Sequence, residues 1–151
     1  MGEWELSDNH ANVEGYAGDI SPKQAWDMLS HDENAVLVDV RTNAEWNYVG
    51  VTDLTSMAKQ QINVSWQLFP DGTRNQNFAA ELAANGVRPH HTVLFLCRSG
   101  QRSKHAAVAM TQEGYGQCYN LLDGFEGSPD GDGHRGRVAG WKVAGLPWRQ
   151  G

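Results

Sequence analysis

The chain has 151 residues, 40% of them hydrophobic and 20% charged, with 18 acidic against 12 basic side chains and a formal net charge of −6. That length favours one domain with its own apolar core, and the acidic balance argues against nucleic acid as a partner, which needs a basic face. No apolar run can span a bilayer, the polar start MGEWELSDNH has no secretory-signal pattern, and Leu6 stands where a myristoylation site needs Ser or Thr, so a cytoplasmic protein with no membrane partner is expected.

Residues 1–18 lack hydrophobic periodicity and read as a loose N-terminal arm before a domain over 19–149. In DISPKQAWDMLSHDENAVLVDVR, Ser21 is placed as a helix N-cap with Pro22 in the first helical position. Ala25, Met28 and Leu29 share one face of that helix. AVLVDV, residues 35–40, is a continuous apolar run ending in Asp, the pattern of a strand covered on both faces. INVSW at 62–66 reads as another short strand, and QNFAAELAANG at 76–86 as a helix closed by Gly86. HTVLFLC, 91–97, is the strongest buried-strand signal; QRSKHAAVAMTQEGYG is then helical until Gly114, and QCYNLLDG is a further strand. DGFEGSPDGDGHRGRVAG is too rich in Gly and Asp for a regular element. A short helix is expected around Trp141 to Ala144, ending at Gly145. Strands alternating with helices imply an α/β domain with a mainly parallel sheet, whose ligands bind beyond the carboxyl ends of the strands. Cys97 stands at one of those ends.

The segment FLCRSGQRSKHAAVAM, 95–110, places that cysteine between a strand and a helix. A thiol attacks as its thiolate, which Arg98, Arg102 and the positive end of the following helix all favour. RSGQR can wrap with successive peptide N–H groups pointing inward as an anion-binding nest, and Gly100 permits the backbone angles required. An isolated cysteine at a strand end is usually a plain buried residue; the Arg-Ser-Gly-Gln-Arg-Ser run after it points instead to a reactive thiol in an anion site. Cys118 lies in an apolar strand pattern and reads as a buried small residue rather than a resolving thiol. Two cysteines without a CxxC pair, and six histidines without ligand spacing, point to no metal site. Asp39 and Arg41 are accessory candidates, with Arg41 expected to pair with Glu45 or a backbone carbonyl and fix the loop after its strand.

CRSGQRS after VLFL resembles the active-site loop of the rhodanese-like sulfurtransferases. LVDVRTNAEW is similar to the family's Asp-Val-Arg motif with its acidic-aromatic pair, GYGQCYNLLDGFEG to its penultimate strand and Gly turn, and GWKVAGLPW to its closing helix. The resemblance spans residues 19–149. It implies a single rhodanese-like domain, with a central, mainly parallel five-stranded sheet flanked by helices on both faces. It also implies a thiosulfate sulfurtransferase (rhodanese)-like enzyme in which Cys97 carries a persulfide cradled by N–H groups of residues 98 to 102. Arg98 and Arg102 would bind the anionic part of the donor, Ser99 and Ser103 add hydroxyls, and Gly100 and Gln101 complete the loop. The implied partners are a small anionic sulfur donor such as thiosulfate, a thiol or cyanide-type acceptor, and a protein sulfur acceptor; no cofactor is required.

The chain departs from the family pattern near 50–61, where it lacks the histidine of a Gly-His-Ile-Pro-Gly-Ala turn, and near 128–139, where residues are inserted. His134, Arg135 and Arg137 in the second insertion are candidates for folding over the cradle, against the plainer expectation of a solvated loop. Protein tyrosine phosphatases and arsenate reductases resemble the corner too, but with a Cys-x5-Arg loop. Here four residues separate Cys97 from Arg102, and the shorter ring suits sulfur better than phosphate. A non-catalytic binding or regulatory module is the third reading, and the presence of Cys97 speaks against it.

Overall fold

Chain order in the computed structural model, which describes residues 15–68, 72–135 and 138–150, begins with β1 (Gly18–Ile20), α1 (Pro22–His31), β2 (Ala35–Asp39) and α2 (Asn43–Tyr48). β3 (Val51–Thr52), a 3-10 turn (Thr55–Met57), β4 (Ile62–Asn63) and α3 (Phe78–Ala84) follow. The chain closes with β5 (Thr92–Leu96), α4 (Gln101–Gln112), β6 (Gln117–Leu121) and β7 (Trp148–Arg149).

Local chemistry sets several of these ends. Ser21 Oγ accepts from Gln24 N at 3.1 Å while Gln24 Oε1 accepts from Ser21 N at 2.8 Å, a reciprocal capping box with Pro22 just inside it. α3 gives way at Asn85 to Gly86, whose φ of +84° is the left-handed stop anticipated for that glycine.

The main sheet has five strands in the order β1-β6-β5-β2-β4, and every neighbouring pair is parallel. β2 and β5 lie inside it and are covered twice. Val38, Val93 and Phe95 face a core shared with Phe78 and Leu82 of α3 and Ala106, Ala107 and Met110 of α4. Leu37, Leu94 and Leu96 face the other way, onto Ala25 and Leu29 of α1, Phe125 and Trp141. Helices on both faces explain why these strands read as unbroken apolar runs.

Three expectations need correction. Residues 15–18 are not part of a loose arm: Tyr16 is buried, Ala17 N donates to Cys118 O at 2.8 Å, and Gly18 opens β1, the fifth strand of the sheet. Three residues are too few to show a period. Residues 1–14 lie outside the described residues. The strand expected over 62–66 is confined to Ile62–Asn63, although the N–H groups of Val64 and Trp66 still reach the carbonyls of Asp39 and Val40 at 3.1 and 3.0 Å. Residues 141–145 form turns rather than a helix, with one helical-type bond from Ala144 N to Gly140 O at 2.9 Å. Four residues cannot offset the cost of helix nucleation, and the segment serves to bury Trp141, whose Nε1 donates to Pro147 O at 2.7 Å. The chain then pairs β7 antiparallel with β3 in a small second sheet.

The 50–61 segment is tied back to the domain by Lys59, whose Nζ donates to the carbonyls of Leu29, Asp32 and Ala35 at 2.7, 2.8 and 2.8 Å, beside the C-terminus of α1. Among the described residues, no helix is long and apolar enough to cross a membrane.

Candidate active site

β5 brings Cys97 to the carboxyl edge of the sheet, 1% exposed. The turn after β6 braces the backbone there. Phe125 N donates to Cys97 O at 2.8 Å, and Glu126 N and Gly127 N donate to Arg98 O at 3.0 and 3.1 Å. With those carbonyls committed to the turn, the loop is held so that Gly100 N–H donates to Cys97 Sγ at 3.1 Å. Gly100 itself has a φ of +109° and stands as N-cap of α4, the conformational freedom expected of it. The brace requires glycine at 124. Its φ is +58°, and a Cβ there would lie 2.6 Å from the Arg98 carbonyl carbon and nearer still to Cys97 O.

The other neighbour of the sulfur is Ser103 Oγ at 3.2 Å, on the first turn of α4. Ser103 in turn donates to Asn120 Oδ1 at 2.6 Å, and Asn120 Nδ2 donates to Asp19 Oδ1 at 3.0 Å. Asp19 Oδ1 also accepts from Tyr16 Oη at 2.8 Å. Asn120, Asp19 and Tyr16 were not among the site residues anticipated from sequence; the one available signal was a polar Asn in a strand otherwise read as apolar.

Arg102 leaves the loop toward α2 and grips Glu45 with both arms, Nη1 to Oε1 at 2.8 Å and Nη2 to Oε2 at 2.9 Å. Glu45 is placed for this by its own capping box: Oε1 accepts from Thr42 N at 3.1 Å, and Glu45 N donates to Thr42 Oγ1 at 3.4 Å. Burial alone would raise the Glu45 carboxyl, but the hydrogen bonds and charge of Arg102 outweigh it and hold the group below its ordinary value. Burial likewise pulls Arg102 down, and its bonds to Glu45, the Glu45 charge and the nearby Cys97 reverse that, leaving it raised.

Glu45 therefore belongs to Arg102 and not to Arg41, the partner named from sequence. Arg41 is wholly buried and pairs with the residue two before it: Nε lies 2.9 Å and Nη2 2.7 Å from the two Asp39 oxygens. Nη2 also donates to Gly50 O at 2.7 Å, the backbone-carbonyl alternative, and so closes the loop after β2. The guanidinium stacks on Phe125, 4.5 Å from the ring centroid. Asp39 and Arg41 thus support, from below, the same turn that holds the Cys97 backbone.

Arg98 and Gln101 are exposed and Ser99 is half-buried. Arg135 Nη1 donates to Gly127 O at 2.7 Å, and the His134 amide donates to Asp130 Oδ1 at 2.9 Å. Among the described residues, neither makes a hydrogen bond to the 97–103 loop; Arg137 lies outside them. Cys118 is buried in register with Val93, and burial pushes its thiol up to about 11, the behaviour of an inert packing residue.

Residues 17–151 match the family model described as the STR4 middle domain. Among solved structures, the chain is similar to Rv0390 from M. tuberculosis, with 55% identity, a TM-score of 0.82, and coverage of 90% of this chain and 99% of that one. An uncharacterised protein of Rickettsia conorii is 43% identical over 130 residues, 86% of this chain and 95% of its own length. The thiosulfate sulfurtransferase GlpE of Actinobacillus succinogenes is 29% identical over 129 residues, 85% of this chain and 87% of that protein. With a parallel five-stranded sheet, a cysteine loop at its carboxyl edge and a family match running through nearly the whole domain, the chain belongs to the rhodanese-like sulfurtransferase family.

Proposed function

We propose that the protein moves sulfane sulfur from a small anionic donor such as thiosulfate to a thiophilic acceptor, through a persulfide on Cys97. The observation that carries this reading is the setting of Cys97 Sγ: buried at a strand end, with Gly100 N–H 3.1 Å away in a loop that closes after four residues on Arg102. In the first half-reaction the Cys97 sulfur forms a bond to the outer sulfur of thiosulfate and the donor's S–S bond breaks. Sulfite leaves with that bond's electron pair, and the thiol proton leaves with it, so that a thiol and a dianion become a persulfide anion and hydrogen sulfite. In the second, a thiolate or cyanide attacks the outer sulfur and Cys97 departs as thiolate. Cysteine serves because it is both a good nucleophile and a good leaving group.

The amides of Ser99, Gly100, Gln101 and Arg102 receive the charge on the outer sulfur, as peptide N–H groups do in other anion sites. Arg98, exposed at the rim, meets the donor's sulfonate, while Arg102, oriented by Glu45, presents its remaining N–H groups. Arg41, held by Asp39, supports the loop through the Phe125 turn. A reducing cytoplasm suits a free reactive thiol, and a protein acceptor docking at the loop is a further partner class. The test is mass spectrometry of the Cys97 peptide after thiosulfate, paired with thiocyanate production from cyanide. A gain of one sulfur atom on Cys97, discharged by cyanide, is expected. Hydrolysis of an aryl phosphate with no sulfur gained would overturn the proposal.

A further inference from the structure

Behind Cys97 the hydrogen bonds have a fixed direction. A carboxylate only accepts, so the Asn120 amide must turn its nitrogen to Asp19 and its oxygen to Ser103. Ser103 is therefore the donor across the 2.6 Å contact to Asn120, and a hydroxyl has one proton to give. What Ser103 offers Cys97 Sγ, 3.2 Å away, is a lone pair. A lone pair suits the S–H of a thiol and opposes the charge of a thiolate.

We infer that Asn120 is a positioning residue that holds Ser103 in the state matched to a protonated Cys97, so that ionisation requires the Ser103 hydroxyl to swing from Asn120 to sulfur. The swing leaves Asn120 Oδ1 without its partner in a residue only 3% exposed, and a buried acceptor left unmade opposes the change. In the persulfide, Sγ has no proton to give, and the swung hydroxyl becomes the better arrangement. The free enzyme thus turns a Ser103 lone pair to the sulfur, and the loaded enzyme selects the other hydroxyl position. The catalytic meaning of this device rests on the sulfur-transfer reading; the titration it predicts does not.

The charged and titratable groups on the elements around Cys97 are Arg98 in its own loop, Arg102, Lys104 and His105 of α4, Glu45 of α2, and Asp39 and Arg41 at the end of β2. Tyr48 of α2, Tyr16 and Asp19 at β1, Cys118 and Tyr119 of β6, and Asp123 and Glu126 in the turn after β6 are the others. Asn120→Leu removes none of these charges while deleting the acceptor at similar volume. The pH dependence of Cys97 alkylation by iodoacetamide, read from the mass of its own peptide, follows the thiolate directly. The midpoint is expected to fall by about one unit in Asn120→Leu, or about tenfold more thiolate at a given pH below the midpoint. The same replacement in a Ser103→Ala background should shift nothing. An unchanged or raised midpoint, or an equal fall without Ser103, overturns the inference. Asp19→Asn, at an exposed position, provides a second route because it frees the Asn120 amide to turn over. Its midpoint should fall further with Ser103 present than absent; equal falls would reduce the effect to lost charge and overturn the inference. Thiosulfate labelling of the wild-type Cys97 is scored separately, so failure of sulfur transfer and failure of the Asn120 device are distinguishable results.

Discussion

Replacing Gly124 with alanine should damage stability and the active loop together, because one methyl group meets the backbone that holds Cys97. The added Cβ would stand 2.6 Å from the Arg98 carbonyl carbon and 2.7 Å from its oxygen, atoms that cannot move aside like a side-chain tip. At a φ of +58°, alanine also carries a left-handed penalty of about 1–2 kcal/mol. Relief of the clash requires the turn to withdraw from the strand, which breaks or lengthens the bonds from Phe125, Glu126 and Gly127 to the Cys97 and Arg98 carbonyls. Two or three such bonds at about 1 kcal/mol each, added to the strain, bring the loss to about 3–5 kcal/mol, a large share of a domain's usual stability. Urea unfolding of Gly124→Ala against wild type measures the loss, and alkylation of Cys97 in the folded fraction reports on the loop. Gly116→Ala is the control: no heavy atom beyond its two chain neighbours lies within 4 Å of its added Cβ, and its loss should stay below about 1 kcal/mol. A Gly124→Ala protein as stable as Gly116→Ala would refute the claim that the turn braces the loop by close approach.

Cys97→Ser should abolish persulfide formation with the unfolding transition little changed, whereas Cys118→Ser should retain thiosulfate turnover; loss of transfer in the second variant would make Cys118 a participant. Glu45 titrates below its ordinary value of 4.5 in the folded chain, so its pairing with Arg102 adds stability that is complete above that pH and fades as pH falls through the lowered folded value. Acid unfolding of Glu45→Gln should accordingly show a smaller loss of stability below pH 4.5 than wild type does. Arg41→Met leaves the Asp39 carboxylate buried without its cation and should cost about 3–5 kcal/mol in urea unfolding, while an effect under about 1 kcal/mol would mean Gln61 and the Arg41 amide suffice for Asp39.

The place of the cysteine loop is legible in the sequence because a strand and a helix announce themselves on either side of seven consecutive residues, Cys97 to Ser103. The partners of those residues are not. Arg102 and Glu45 are 57 positions apart, and Asn120 and Asp19 are 101 apart. The sequence offers Arg41 either Glu45 or a backbone carbonyl as its partner; it takes the Gly50 carbonyl, turns back on Asp39 and leaves Glu45 to α4. Trp141 suggested a helix by its apolar neighbours. The fold uses it instead as a buried anchor in a run of turns, because β7 must reach β3 within a few residues.

What the residue order determined by itself was whatever depends on neighbours along the chain: the capping of α1 by Ser21, the stop at Gly86, the doubly covered strands, and a cysteine at the corner between β5 and α4. Only the tertiary structure decided that β1 lies beside β6, and hence that Asp19 and Asn120 stand behind Ser103. Capping and burial patterns are short-range effects written into a few residues each. The order of strands in a parallel sheet is settled by packing both of its faces at once, and no single segment carries that information.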